Sequence, residues 1–365
     1  MSTSLPPSKS KKPSPVRHTR AIGRDRSKRP VVAPPDAQMC ARMTELIHPL
    51  TFSQAAHDHD LGLRERVLTL PVMVALVLSM IWRQIGSVCT LTRRLRAEGF
   101  LWTAPVQVSQ QALAERLQVF PAVLFKDVLD ALLPQMQARW AARRRPLSPE
   151  IAWANDRYSA VLGVDSSTLD ALLRKVGLLQ QRADTPLAGR ITGLLDVGSR
   201  LPRALWYEPN AHAHDQRAWP TILTALPAGA LLLFDLGYLN FGMFTALTAA
   251  RVTFVTRAKS NLASTVDHWL QHTPQMHAAV VWIGAGADRQ QVRLSEVFYR
   301  NTWTRYLTNE TDPVRLPVLY AVALYGQRWC LEDAYNAVKR LLGLAYFWTE
   351  SENGVCVQLW ATWLL

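Results

Sequence analysis

Two short apolar runs that each stop on an acid constrain this chain more than any other feature. "SAVLGVD" ends at Asp165 and "GALLLFD" ends at Asp235. Neither run shows the apolar–polar alternation of a half-exposed strand, and both are short for a helix buried on every side. Both therefore read as buried strands of a layered α/β sheet. Between them, "RITGLLDVGSR" and "LPRALWYEP" make a hairpin around a Gly-Ser-Arg turn, and "DQRAWPTILTAL" is helical. "FGMFTALTAA" is a further helix and "RVTFVTRAKSN" a further strand. The order from Tyr158 is β-β-β-α-β-α-β, which predicts a mixed sheet whose strands after the hairpin return by helical crossovers. Residues 262–318 add a β-like stretch ("AAVVWIGAG", "QVRLSEVFYR", "WTRYLTN"), and a helical region runs from Leu319 to the end.

The first part of the chain has a different character. Residues 1–36 hold nine Lys and Arg and a single acid before Asp36, interleaved with Ser and Pro. Such a segment buries too little to offset its ordering entropy, so it is expected to be a disordered basic arm. From about 37 to 155 the signals are helical. Pro71 suits the first turn of a helix running toward Trp82. Ser109 is an N-cap for "SQQALAERLQVFPAVLFKDVLDALLPQM", which Pro121 splits into a helix-turn-helix outline. "RWAARRRP" then places Arg143, Arg144 and Arg145 beside Trp140. Short helices with an arginine cluster point to DNA binding. The whole chain carries 41 Lys and Arg against 28 Asp and Glu, a net +13, and a surplus of that size calls for a polyanionic partner.

Composition also removes some classes. Cys40, Cys89, Cys330 and Cys356 lie far apart with no CxxC pair, which excludes a disulfide scaffold and a cysteine zinc site and fits a reducing compartment. The longest apolar run, Val67 to Trp82, is short for a membrane span and contains Pro71. The N-terminus has no apolar stretch behind its charges, so no secretory signal is expected.

A carboxylate at the end of a buried strand is poorly placed for packing and well placed for Mg²⁺, which takes a few carboxylate oxygens and keeps positions open for water and phosphate. Strand-end aspartates are also common in turns, so Asp170, Asp196 and Asp215 remain rivals to Asp165 and Asp235. A sharper pattern lies in "LYGQRWCLEDAYNAVKRLLG". On a continuous helix at about 100° per residue, Tyr325, Arg328, Glu332 and Lys339 share a stripe roughly 60° wide, with Leu331, Ala334, Val338, Leu341 and Leu342 opposite. Only Lys126, Lys175, Lys259 and Lys339 lie beyond the basic arm, so a lysine on that stripe suggests a job for a compact point charge. Other groups carry less. His57, Asp58, His59 and Asp60 read as a polar loop before a metal site, His212 and His214 as a loop and cap, and "GAGADR" at 284–289 as a turn.

Tyr325, Arg328, Glu332 and Lys339 have the spacing of the Tyr-x2-Arg-x3-Glu-x6-Lys signature of DDE transposases of bacterial insertion sequences, in the branch typified by insertion sequence four. "LGVDSSTL" and "LFDLGYLNF" resemble that family's two aspartate motifs. "FVTRAKSN" resembles the segment that closes the sheet before the family's β-rich insertion, and "SQQALAERL" with the helices after it resembles the N-terminal domain. The resemblance implies a ribonuclease-H-like mixed sheet (156–365) with a β-rich insertion at about 262–318, preceded by an all-α DNA-binding domain. It implies Asp165, Asp235 and Glu332 as catalytic ligands of two Mg²⁺ ions, with Mn²⁺ as a substitute. Tyr325, Arg328, Lys339, Arg257, Lys259, Arg143, Arg144 and Arg145 would contact DNA, and Trp282 or Trp303 would stack on it or pack in the core. The implied partners are transposon terminal repeats, target DNA and a second copy of the chain, in a bacterial cytoplasm at the nucleoid and away from membranes. Members usually continue past "GVCVQLWATWLL", so a truncated, catalytically defective DNA-binding copy is one alternative expectation. A structure-specific nuclease on the same fold is another.

Overall fold

The computed structural model describes residues 35–47, 49–63, 66–143, 146–169, 189–341 and 351–365. The basic arm up to residue 34, Asp170, Arg144 and Arg145 lie outside these, as do the side chains of Leu341 and Leu342. The chain divides into two compact units, one of residues up to 126 together with the C-terminal segment, the other of residues 127–169 and 188–341.

The first unit is helical: α1 (Asp36–Thr44), α2 (Pro49–Asp58), α3 (Leu70–Trp82), α4 (Val88–Ala97), α5 (Gln110–Val119) and the start of α6 (Val123–Ala141). α3 starts with Pro71 in its first turn, where a missing N–H costs nothing, and every residue from Met73 to Ile81 is buried. Ser87 and Ser109 cap α4 and α5 by accepting from the Thr90 and Ala112 N–H groups. At the α5–α6 corner Phe120 packs edge-on against Phe125, which meets Phe52 of α2 in the same way. The last helix, Glu352–Leu364, belongs to this unit and packs on α3 and α5. Asn353 fastens it to the corner: its Oδ1 accepts from the Ala122 N–H, and its Nδ2 donates to the Gln118 and Phe120 carbonyls. Asn353→Ala would leave one donor and two acceptors of the backbone without these partners. It is expected to lower stability by about 2 kcal/mol in denaturant unfolding, and an unchanged midpoint would refute the fastening role.

The second unit is built on one nine-stranded mixed sheet. α7 (Pro149–Asn155) precedes β1 (Val161–Thr168), β2 (Arg190–Asp196) and β3 (Pro202–Glu208). α8 (Trp219–Ala225), β4 (Leu231–Phe234), α9 (Phe241–Ala249) and β5 (Thr253–Arg257) follow. β6 (Thr265–Thr273), β7 (Met276–Ile283), β8 (Gln290–Tyr299) and β9 (Thr302–Thr308) come next, and then α10 (Val318–Gln327) and α11 (Trp329–Asn336). The strand order is β3-β2-β1-β4-β5-β9-β8-β7-β6, with β4 parallel to both β1 and β5 and every other pair antiparallel. "FVTRAKSN" does not close the sheet. β9 pairs with the end of β5 at Thr256 and Arg257, so the strands of 262–318 continue the same sheet.

Alternation along the strands sends their side chains to two cores. On one face Leu162, Val164, Leu232, Phe234 and Phe254 pack under Trp219 and Phe244 of α8 and α9. On the other, Val161, Leu231, Leu233 and Val255 pack under Ile151 of α7 and Leu324 of α10. Asp165 continues the Val161–Gly163 side of β1, so it faces the second layer. Gly163 lets that layer come close, since a Cβ there would lie 2.6 Å from Leu331 Cδ1 of α11.

Candidate active site

Parallel pairing sets the two aspartates beside one another. Val161 to Val164 pair in register with Leu231 to Phe234; Asp235 directly follows β4, whereas Asp165 does not end β1, which runs on to Thr168. Glu332 lies on α11, on the layer that Asp165 faces.

Tyr325, Arg328, Glu332 and Lys339 do not lie on one continuous helix. α10 ends at Gln327, Arg328 is the junction, α11 ends at Asn336, and Ala337–Leu341 is a π-helical turn. The stripe is also not a solvent face: Tyr325, Arg328 and Lys339 are buried. The junction and the wider turn adjust the helical phase locally, as such irregularities often do at functional sites. All four residues still converge on the acids or their strand. Arg328 Nη1 donates to Asp165 Oδ2 at 3.1 Å and Nη2 to Glu332 Oε1 at 3.3 Å. The Tyr325 hydroxyl donates to Asp235 Oδ1 at 3.3 Å. Lys339 Nζ bonds Ser167 Oγ and donates to the Thr168 carbonyl at 2.6 Å, which ties it to the outer end of β1.

The electrostatics follow from burial. The Asp165 carboxyl is pushed up to about 6, mainly by desolvation, with the charges of Asp235 and Glu332 adding to it. The Arg328 cation and the Ser166 N–H oppose that rise. Burial alone would lower Arg328, but Asp165, Tyr325, Asp235 and Glu332 together hold it above its ordinary value. Burial, then the nearby Asp235, raises the Tyr325 phenol well above its usual range. One guanidinium thus balances a group of three acids.

The rivals have other work. Asp196 closes the β2–β3 turn by accepting from the Ser199 N–H at 2.6 Å. Asp215 pairs with Arg190, and Asp170 lies outside the described residues. His214 caps a short 3-10 turn, Asp58 accepts from Gln54 at the exposed end of α2, and 284–289 is a turn with Gly284 and Gly286 at positive φ. Arg257 ends β5 exposed, its charge acting on the phenol of the opposite Tyr306, which packs edge-on against Tyr325. Lys259 and Arg143 are exposed. Trp303 is exposed beside His277, whereas Trp282 donates to Asp267 beneath Arg289.

Several residues around the acids were not singled out from sequence. The Ser166 hydroxyl bonds those of Tyr238 and Thr192, while its N–H donates to Asp165 Oδ1 at 2.9 Å. The Tyr335 hydroxyl donates to the Asp165 carbonyl at 2.8 Å. Gly193 leaves the space, since a Cβ there would stand 2.8 Å from that hydroxyl. "DSST" directly after Asp165 and a tyrosine one helical turn after Glu332 were the available signals. Tyr335→Phe leaves that carbonyl without its side-chain donor and is expected to cost about 1–2 kcal/mol of stability in denaturant unfolding. An unchanged unfolding midpoint would show that the bond contributes nothing.

Comparison with known proteins gives the arrangement a context. Residues 190–365 match the transposase DDE domain family. The matched span contains Asp235 and Glu332 and begins after Asp165. The protein named "Putative transposase y4zB" from Sinorhizobium fredii (strain NBRC 101917 / NGR234) is 28% identical, over 59% of this chain and 69% of that protein. Both similarities support a DDE transposase. No helix among the described residues is long and apolar enough to cross a membrane.

Proposed function

We propose that this chain is a DNA transposase of the insertion-sequence-four type. It would cut at transposon ends and join them to target DNA by phosphoryl transfer, with Asp165, Asp235 and Glu332 as its catalytic acids. The observation that carries this reading is the juxtaposition of the three. Asp165, within β1, and Asp235, directly after β4, are neighbours across a parallel strand pair, and Arg328 links Glu332 to Asp165. Three parallel strands flanked on one side by an antiparallel hairpin support a ribonuclease-H-like core.

The donor set suits a hard divalent cation, since it consists of carboxylates without Cys or His. Asp165, Asp235 and Glu332 would hold two such ions, Mg²⁺ or Mn²⁺. Bound there, they supply activation of the attacking oxygen and charge stabilisation at the leaving 3′ oxygen. The protein's own groups orient and bind. Tyr325 fixes the Asp235 carboxylate, Tyr335 and Ser166 fix Asp165, and Arg328 and Lys339 supply buried cations for phosphates of the transposon end. The exposed Arg257, Lys259 and Arg143, with Arg144, Arg145 and the basic arm, add sequence-independent phosphate contacts. A second copy of the chain would complete the complex, since two ends must be held together.

The test is cleavage of a supercoiled plasmid carrying the terminal repeats that flank the gene. Mg²⁺-dependent nicks at the repeat ends, abolished by Asp235→Asn with end binding retained in a gel shift, are expected. End binding without nicking by the wild type would overturn the catalytic reading and favour a DNA-binding remnant. Cleavage without joining would favour a nuclease.

A further inference from the structure

Among the described residues, no three His, Cys, Asp or Glu side chains are gathered closely enough to hold a metal ion. A cation of the chain's own is bound between two of the acids of the site. Arg328 Nη1 and Nη2 are 3.1 Å from Asp165 and 3.3 Å from Glu332. A divalent cation needs those carboxylates at about 2.0–2.6 Å from itself. An oxygen already aimed at a guanidinium N–H is turned away from that use, and a second positive centre beside the guanidinium would be repelled.

We propose that Arg328 is a resident counter-ion that competes with the divalent cation, so that the acidic site loads metal efficiently only when Arg328 is drawn away by DNA phosphate. Three features of Arg328 support a displaceable role over a fixed ion pair. Its Nε is buried with no hydrogen-bond partner, so the carboxylates do not satisfy the whole guanidinium. It sits at the junction of α10 and α11, where its backbone serves as the cap of both helices and small torsional changes redirect the side chain. The neighbouring Trp329 is exposed, with its ring 6.0 Å from the guanidinium carbon, so the buried charge lies close beneath the surface. A phosphate offers acceptor oxygens that fit the fork and the idle Nε together. Transfer of Arg328 to DNA would remove one positive charge from the acids as the substrate arrives, which would make metal loading depend on DNA by linkage. This inference rests on the reading of Asp165, Asp235 and Glu332 as a metal site.

The experiment is a Mn²⁺ titration of the full-length protein without DNA, followed by calorimetry and by the electron paramagnetic resonance of free Mn²⁺. It uses the wild type, Arg328→Gln, Arg328→Lys and Arg328→Gln combined with Asp165→Asn. Arg328→Gln should bind Mn²⁺ at least about tenfold more tightly than wild type, with Arg328→Lys between them, and the added Asp165→Asn should cancel the gain. Duplex DNA of the flanking terminal repeat should tighten Mn²⁺ binding by wild type and change that of Arg328→Gln little. Arg328→Gln should also melt lower than wild type without metal and recover with Mn²⁺, because three acids lose their counter-ion. If Arg328→Gln does not fold without metal, the Arg328→Lys titration carries the comparison. Equal or weaker Mn²⁺ binding by both Arg328 variants, still abolished by Asp165→Asn, would overturn the competition while leaving the metal site intact. Mn²⁺ binding indifferent to Asp165→Asn in every background would overturn the site assignment itself.

Discussion

Glu332→Gln is expected to lower Mg²⁺-dependent nicking at transposon ends by roughly a thousandfold or more while leaving end binding intact. Gln has the shape of Glu and keeps an oxygen that can accept from Arg328 Nη2, so the link to Asp165 through the guanidinium survives. What disappears is one negative charge. Phosphoryl transfer leaves little covalent work for the protein, so positioning and charge stabilisation carry the rate, and losing one preorganised electrostatic group costs about 10²–10³-fold on its own. An incomplete ligand set for the ions adds to that loss. End binding should hold or tighten, because a carboxylate without metal repels phosphate. Lys339→Ala should behave differently and lose specific end binding along with cleavage, since its ammonium is the compact cation at the outer end of β1. Comparable nicking rates for Glu332→Gln and wild type, measured side by side with a gel shift in Ca²⁺, would remove Glu332 from the chemistry.

The parts of this site that were legible in the sequence are those fixed by local pattern. Buried strands announce themselves as unbroken apolar runs, so Val161–Val164 and Leu231–Phe234 could be read directly. The hairpin was legible from its turn residues, and the cap at Ser109 and the first-turn Pro71 from local backbone chemistry. The Tyr-Arg-Glu-Lys spacing was visible, but its geometry was not. A constant 100° step assumes one helix, whereas the break at Arg328 and the π turn at Ala337–Leu341 arise from packing that no residue in the segment advertises. Gly163 and Gly193 look like ordinary strand glycines until α11 is docked, when each proves to be room for one side chain, Leu331 or Tyr335. The continuation of the sheet through β9 depends on a pairing between residues about fifty apart. The return of Glu352–Leu364 to the helical unit buries most of that helix and is fastened by an asparagine meeting backbone more than two hundred residues away in sequence. Such long-range pairings are set by what the rest of the core leaves open, which a single sequence does not display.

Asp165→Asn should abolish nicking and at the same time make the protein more stable. In the folded chain the Asp165 carboxyl is pushed up to about 6 from an ordinary 3.8, first by burial and then by Asp235 and Glu332. A folded value above the unfolded one means that the native state holds the proton more tightly. The stabilisation from that proton is therefore fully present below about pH 4 and disappears as pH rises through about 6. At neutral pH the native protein carries the charge at a cost of order 1–3 kcal/mol, since each tenfold difference in proton affinity between the folded and unfolded chain corresponds to about 1.4 kcal/mol. Asparagine cannot ionise, and its single oxygen can accept from either Arg328 Nη1 or the Ser166 N–H, which bond different oxygens of Asp165, so the lost bond offsets part of the gain. Its melting temperature should exceed that of the wild type by several degrees, about 2–4 °C per kcal/mol, near pH 7.5, with the gap closing near pH 4.5. Differential scanning calorimetry at the two pH values measures this, and an Asp165→Asn variant less stable than wild type at pH 7.5 would contradict it. A stabilised, inactive variant would show why a carboxylate stands at this buried position of β1. The fold bears a standing cost there, and a bound cation can relieve it.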